Sequence, residues 1–270
     1  MKASRVRVIL IASLVAIGGI LLATVYIRGS SPVSDTFTDT SKIASNVNLT
    51  VDTANGQVKL ATSSSWTCGD TITDSRDSKT YGTVLIDTQC WMAKNMDIGT
   101  KTAGVNNQGT ACPSAAEIEK YCYGDSDDNC TSQGGLYQWD QAMCGSIESG
   151  TQGICPSGWH IPADSEQYTL EYYLWDKVTG TCASDRSGVY ACSPAGTALK
   201  SGGTSGFNGL LAGFRYTDGS FYNQGSYAFF WSSTESGVNA WYRALYSGYA
   251  TVGRFANDQA NGFSVRCLKD

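Results

Sequence analysis

The sequence predicts an α+β domain stapled by disulfides, held outside the cell and preceded by one transmembrane helix. Three observations carry this fold class. All ten cysteines lie beyond residue 67, and an even number in an exported region reads as a disulfide framework. Ahead of them, 20 residues from Val8 to Ile27 run without a charge. In the remainder, locally encoded helices are few, and brief apolar runs recur between stretches of Gly, Ser, Tyr and Asn. That is the composition of short strands joined by long, structured loops.

The apolar run VILIASLVAIGGILLATVYI is bounded by Arg7 and Arg28. At about 1.5 Å of rise per residue, a helix of this length spans a bilayer core of about 30 Å. A cleavable signal peptide has a shorter apolar region, about 7–15 residues, ending in a small-x-small site, so an uncleaved anchor is the preferred reading. Lys2, Arg5 and Arg7 precede the run and Arg28 follows it. The positive-inside rule then puts the N-terminus in the cytoplasm and everything from Gly29 onward outside. Residues 1–28 are read as cytoplasmic tip and anchor. Residues 29–66, rich in Ser, Thr, Asp and Asn, are read as a stalk with one short hairpin around Asn55-Gly56. From 67 to 270 there is neither a clean linker nor an internal repeat, and Trp and Tyr occur throughout, so this stretch is one large domain.

Within it, Ser114-Ala115-Ala116-Glu117 after Pro113 is a Ser-x-x-Glu capping box and predicts a short helix. Asp164-Ser165-Glu166-Gln167, just after Pro162, opens a longer one. There Leu170, Leu174 and Val178 share a face, joined by Tyr173, and Gly180 stops the helix. Short strands are expected at Leu210-Leu211-Ala212, Phe229-Phe230-Trp231, Ala240 to Tyr246 and Phe263 to Leu268.

Composition narrows the chemistry. With 41% hydrophobic residues, 11% aromatic and only 16% charged, the chain can bury a large core and is not disordered. The net charge of −5 hides an asymmetry: beyond Arg28 there are 15 Lys and Arg against 24 acids, or −9, which repels nucleic acid. A single histidine, His160, cannot build a multi-histidine metal centre. No two cysteines have Cys-x-x-Cys spacing, which disfavours a metal reading, and sequence alone leaves their pairing open.

The order of segments is diagnostic: QCWMAKNM at 89–96, GLYQW at 135–139, CPSGWHIP at 155–162, GFR at 213–215 with DGSF at 218–221, FWSSTE at 230–235, AWYR at 240–243 and GFSVRC at 262–267. Seven motifs in this order across residues 68–270 closely resemble the Fibrobacter succinogenes major paralogous domain, a family of exported bacterial proteins. That family is similar to the C-type lectin-like superfamily, which also holds formylglycine-generating enzymes and the variable receptor-binding proteins of diversity-generating retroelements. The resemblance implies a C-type lectin-like fold in which N- and C-terminal strands pair and one helix precedes a long-loop region. A short twisted sheet would then present the binding face. Pairing the Trp159 strand with the Val265 strand, as this implies, brings Cys155 to Cys267. Cys182 with Cys192 and Cys122 with Cys130 then stand as short-loop pairs, which leaves Cys68 with Cys90 and Cys112 with Cys144.

His160, between Trp159 and Ile161-Pro162, is read as a structural anchor of its loop rather than a catalytic base. The enzymatic relatives in the superfamily use a reactive cysteine pair or an iron held by histidines, and this chain lacks the histidines for the second. An even set of exported cysteines argues against the first. Asp125, Asp127 and Asp128, between Cys122 and Cys130, offer hard oxygens for calcium but lack the full loop spacing. They are read as a solvated acidic turn, with calcium as the one cofactor that remains open. The sugar-binding tripeptides that the lectins of this superfamily use with calcium are absent from the sequence.

The segment from Ser236 to Asn261 is poor in aliphatic residues and rich in types that binding surfaces favour. Its candidates for ligand binding are Tyr242, Arg243, Tyr246, Tyr249, Arg254, Asn257 and Asn261. This richness is similar to that of retroelement-diversified variants. Strand alternation puts Tyr242 and Tyr246 on one face with Ala240 and Ala244, expected to form an accessible platform, while Trp241 and Leu245 point inward. Tyr249 and Asn257 are expected in loops beyond that strand, and Trp231 and Trp241 in the core. The expected function is a membrane-anchored extracellular binding or adhesion protein that recognises a protein or glycan. The alternatives are an exported enzyme of the formylglycine-generating type and a structural component of the envelope or a surface assembly.

Overall fold

The computed structural model describes residues 66–270 in full and, before them, the backbone of four strands: Ser13–Ile17, Ile20–Thr24, Asn48–Asp52 and Gln57–Ala61. The chain divides into two compact units, 1–66 and 67–270. In the first, Ser13–Ile17 pairs antiparallel with Ile20–Thr24, and Asn48–Asp52 with Gln57–Ala61 on either side of the Asn55-Gly56 turn signal. The earlier pair stands inside the apolar run where a membrane helix is expected, and the rest of that run lies outside the described residues. Among the described residues no helix is long and apolar enough to cross a membrane.

In the second unit the main elements are β1 (Thr71–Thr73), β2 (Thr80–Ile86), β3 (Gln89–Met92), α1 (Asp127–Gln133), α2 (Trp139–Ala142), β4 (Trp159–His160), α3 (Asp164–Leu174), β5 (Val189–Ala191), α4 (Ala195–Leu199), β6 (Tyr227–Ser236), β7 (Asn239–Tyr246), β8 (Val252–Asp258) and β9 (Leu268–Lys269). Two antiparallel sheets organise them. One runs β4-β9-β3-β2-β1 and the other β5-β8-β7-β6. The unit is thus mixed α and β, rich in sheet and sparing in helix.

The ends of the unit meet as the resemblance implies, with a shifted register. Trp159 lies opposite Lys269 and His160 opposite Leu268, whereas the Val265 carbonyl accepts the Met96 N–H at 2.9 Å. Residues 262–267 run through the interior, and their backbone is satisfied piecemeal. Gly262 pairs with Arg215, Phe263 with Tyr137 and Ser264 with Phe230, and the Cys267 carbonyl accepts the Met92 N–H at 3.0 Å. This explains why a stretch expected to be one strand is a chain of single bridges. Five disulfides close the unit: Cys68–Cys90, Cys112–Cys144, Cys122–Cys130, Cys155–Cys267 and Cys182–Cys192. This is the same pairing that the resemblance led to.

Helix α3 forms where the sequence predicts it. Its first turn is closed by Glu166, whose Oε2 accepts the Ala163 N–H at 2.8 Å. It stops at Leu174, before Val178. Asp176 accepts the backbone N–H of Val178 at 2.9 Å and of Thr179 at 2.7 Å, a local turn that competes with further helix, and Val178 is left exposed. The Ser114 capping box does not start a helix. Ser114 Oγ and Glu117 Oε2 bond at 2.8 Å and close a single turn. The chain then extends so that Glu119–Lys120 can pair with Thr100–Lys101, a case of tertiary pairing overriding local propensity. Leu210–Ala212 is irregular rather than a strand, bracketed by left-handed residues at Asn208 and Gly213.

The four-stranded sheet lies between two apolar clusters. Tyr242, Ala240, Ala244, Phe229 and Trp231 join one with Phe263, Trp139 and Tyr137. Leu245, Phe230, Ala228, Val252 and Ala191 join the other with Trp91, Phe207 and Leu170 of α3. Helices α3 and α4 therefore cover one face of the sheet. On the opposite face Trp231, Tyr242, Phe229 and Ala244 are buried in the first cluster, whereas Tyr190, Tyr227, Tyr246 and Phe255 are half-buried.

Candidate functional site

That second face is built by register. Along one row Tyr190 lies opposite Gly253, Gly253 opposite Ala244 and Ala244 opposite Phe229. Along the next, Phe255 lies opposite Tyr242 and Tyr242 opposite Trp231, while Tyr246 faces Tyr227 on the other flank. Residues two apart on a strand share a face, so these rings stand on one side of the sheet. Gly253 is required in the middle, because a Cβ there would run into the rings of Phe255 and Tyr190. Small residues in the centre and rings at the flanks produce an aromatic tract across β5, β8, β7 and β6.

Its rings hold one another. Tyr227 and Tyr246 stack with centroids 4.5 Å apart, Tyr246 meets Tyr249 edge-on at 4.7 Å, and Tyr249 meets Tyr190 at 5.1 Å, which in turn meets Phe255 at 5.3 Å. Tyr249 is 48% exposed, and Tyr190, Tyr227, Tyr246 and Phe255 are half-buried. Lys200 fixes the loop that presents Tyr249: its ammonium donates to the carbonyls of Tyr246, Ser247 and Tyr249 at 3.0, 3.0 and 2.8 Å. Burial pushes the phenol of Tyr190 well above its ordinary range. Tyr242 forms its floor and is only 8% exposed. Burial pushes its phenol up to about 12, and a side-chain hydrogen bond with Asn257 works the other way.

The structure thus brings Tyr246 and Tyr249 together and buries Tyr242, Arg243, Arg254 and Asn261. Tyr242 shares the expected face but lies beneath the rings. Asn257 belongs to β8 rather than a loop and sits half-buried beside Tyr242. Asn261 is fully buried, its amide donating to the Asp258 carbonyl at 3.0 Å. Arg243 and Arg254 lie on the other face of the sheet, under α3. Arg243 Nη1 meets Asp164 Oδ1 at 2.6 Å, Arg254 Nη2 meets Asp164 Oδ2 at 2.8 Å, and Glu171 takes both Arg243 and Arg186. The Arg254 guanidinium also covers the Trp241 ring at 3.5 Å, so Trp241 is half-buried under it rather than deep in the core, whereas Trp231 is fully buried. Burial alone would raise the Asp164 carboxyl, but its two arginines hold it below the usual carboxylate range. Burial pulls Arg243 down, and Glu171 and Asp164 more than restore it. This network, absent from the sequence-based reading, holds α3 on the sheet and has its charges spent internally.

Sequence reasoning missed Tyr190, Tyr227 and Phe255. The first two fall outside the aromatic-rich segment, and the register that joins them is not local. His160, expected as an anchor of its loop, is held by two carboxylates: Nδ1 meets Asp270 Oδ1 at 2.7 Å and Nε2 meets Glu166 Oε2 at 3.1 Å. The three aspartates considered for calcium turn to different partners. Asp125 accepts the Gly104 N–H at 2.9 Å, Asp127 pairs with Lys101 at 2.9 Å, and Asp128 lies in the first turn of α1. Among the described residues no group of three or more His, Cys, Asp or Glu side chains is gathered to hold a metal ion.

Residues 84–269 match a family model described as the Fibrobacter succinogenes major domain. No curated protein and no solved structure matches the chain.

Proposed function

We propose that this chain, which belongs to the Fibrobacter succinogenes major domain family, is an outward-facing cell-surface binding module that takes its ligand on the aromatic tract of the four-stranded sheet. One observation carries the reading. Tyr190, Tyr227, Tyr246, Tyr249 and Phe255 form a continuous set of rings that, among the described residues, stays partly exposed. Rigid rings with polar tips supply contact area at low entropy cost. Because Tyr227 and Tyr246 spend a ring face on each other, less face is left for sugar stacking, which favours a protein partner; a glycan is the alternative occupant.

A C-type lectin-like fold is part of the proposal. It is supported by the pairing of β4 with β9, the position of α3 directly after β4, and the Cys155–Cys267 bridge at that junction. The membrane anchor rests on the uncharged run from Val8 to Ile27. In a bilayer every backbone group must be satisfied within the segment, which favours one continuous helix over a two-stranded hairpin with open edges. An enzyme of the formylglycine-generating type would need a reactive cysteine pair, and all ten cysteines are in disulfides, which weighs against that reading.

The test is a surface-protein and glycan array probed with the full chain and with the double variant Tyr246→Ala, Tyr249→Ala. Binding should weaken by roughly tenfold or more, a loss of at least about 1.4 kcal/mol, with the melting temperature nearly unchanged. Equal binding by the variant would remove the tract as the site. An array on which the wild-type chain binds nothing would favour a structural role in the envelope.

A further inference from the structure

A second recess lies away from the aromatic tract, on the outer side of α3. Tyr168, Tyr172 and Trp175 follow one another at helical spacing, with ring centroids 5.6 and 5.7 Å apart. Tyr172 and Tyr173 are 44% and 53% exposed. Just past the helix end, Lys177 adopts a left-handed backbone (φ 65°) and folds back. Its ammonium sits 3.4 Å over the centre of the Tyr172 ring and 5.1 Å from that of Trp175, and it donates to the Tyr172 carbonyl. Opposite stands Asp87 at the tip of the β2–β3 hairpin, also left-handed (φ 54°) and exposed. Asp87, Tyr168, Thr169, Tyr172, Tyr173 and Lys177 line an open cleft of about 490 Å³.

The chemistry of this lining selects a class of ligand. Three of its six lining residues are tyrosines and none is Leu, Ile, Val or Met, so the walls offer ring surface rather than a greasy slot. A single carboxylate and a single ammonium are its only charges, which leaves the cleft without net charge and disfavours a strongly ionic ligand. The carboxylate accepts only and the ammonium donates only, an arrangement suited to hydroxyl groups, which do both. The ring contacts of Lys177 restrain its ammonium at the wall. The volume falls within the range of small-molecule sites, about 300–1,000 Å³.

We infer that the cleft between α3 and the β2–β3 hairpin is a binding site for a neutral saccharide, stacked on Tyr173, flanked by the Lys177-capped ring of Tyr172, and hydrogen-bonded by Asp87 and Lys177. It is separate from the aromatic tract and stands or falls independently of it. The probe is a panel of neutral glucose-, galactose- and mannose-based oligosaccharides, with sialylated and sulfated glycans as charged controls, applied to the full chain. The wild-type chain should bind at least one neutral oligosaccharide and none of the charged controls more tightly. Tyr173→Ala and Asp87→Asn should each weaken that binding, and Tyr172→Ala with Tyr173→Ala should weaken it by about tenfold or more, while Tyr249→Ala leaves it unchanged. Tyr173 and Asp87 are exposed, so their single variants report binding even if Tyr172→Ala disturbs the helix. Failure of the wild type to bind any neutral oligosaccharide would overturn the inference, as would preferential binding of charged glycans or retention of binding in Tyr173→Ala and Asp87→Asn. Loss of saccharide binding in Tyr249→Ala alone would move the sugar to the aromatic tract and equally overturn it.

Discussion

Arg243 and Arg254 illustrate how far a residue's type can mislead about its place. Both look like surface anchors in a segment rich in Tyr and Asn, yet their partners Asp164 and Glu171 lie 72 to 90 residues away in sequence, and nothing local announces the pairing. A buried charge is tolerated only when paired and hydrogen-bonded, so the informative signal was in α3: Asp164, Gln167 and Glu171 repeat at helical spacing on its inward side. His160 was better legible, since its position between a strand and a capped helix leaves it few roles. It also makes a pH prediction. The hydrogen bond that the protonated ring donates to Glu166 holds the imidazole pKa above its ordinary value, burial works against this, and the bond it donates to Asp270 adds to it. A folded pKa raised above the unfolded one contributes stability that is complete below about pH 6.5 and fades as pH climbs through the folded value. Glu166 has the opposite sign: burial opposes the shift, but His160 and the Ala163 N–H hold it low, so its contribution is lost only as pH falls through that lowered value. The melting temperature should therefore decline from about pH 6.5 upward. In His160→Gln this decline should be absent, and a decline of equal size in that variant would show that other groups cause it.

Among the elements, α3 and β7 were legible because their apolar periodicity and flanking Pro and Gly residues agree with the final fold. Strand β8 was not. Its sequence VGRFAND reads as loop because it contains Gly253, Arg254, Asn257 and Asp258, and two of these have a tertiary reason to be there: Gly253 makes room for two rings, and Arg254 is paired beneath α3. The docking of α4 shows the same dependence on close approach. The Gly196 N–H donates to the Ala250 carbonyl at 2.8 Å, and a Cβ on Gly196 would run into the backbone of Ala250 and Thr251. An Ala at a helix position ordinarily gains up to about 1 kcal/mol over Gly. Here overpacking against rigid backbone costs about 1–3 kcal/mol and should reverse the sign. Gly196→Ala is expected to lower the urea midpoint without changing the slope of the transition; a raised midpoint would mean that the loop before β8 yields freely.

For the whole molecule, the order of seven motifs conveyed the family, whereas the register of the sheets did not follow from it. The shift that puts Leu268, rather than Val265, beside His160 depends on how residues 262–267 thread the interior. That thread is secured by the Cys155–Cys267 bridge, which spans 112 residues. Replacing both cysteines by Ser should cost about 2–5 kcal/mol, the range for native bridges in small secreted domains, measured by denaturant unfolding of the oxidised protein. An unchanged midpoint would mean that the thread is held by its hydrogen bonds alone. The first bridge of the unit has a mechanical meaning. Cys68 opens the unit and is bonded to Cys90 in β3, the strand that also pairs with β9. Tension entering through residue 67 passes across that bond directly into β3, and β1 and β2, enclosed between the two cysteines, bear none of it. Were the domain to bear load as the proposed surface module, that pull would meet a covalent link before it met the hydrogen bonds of β1 and β2.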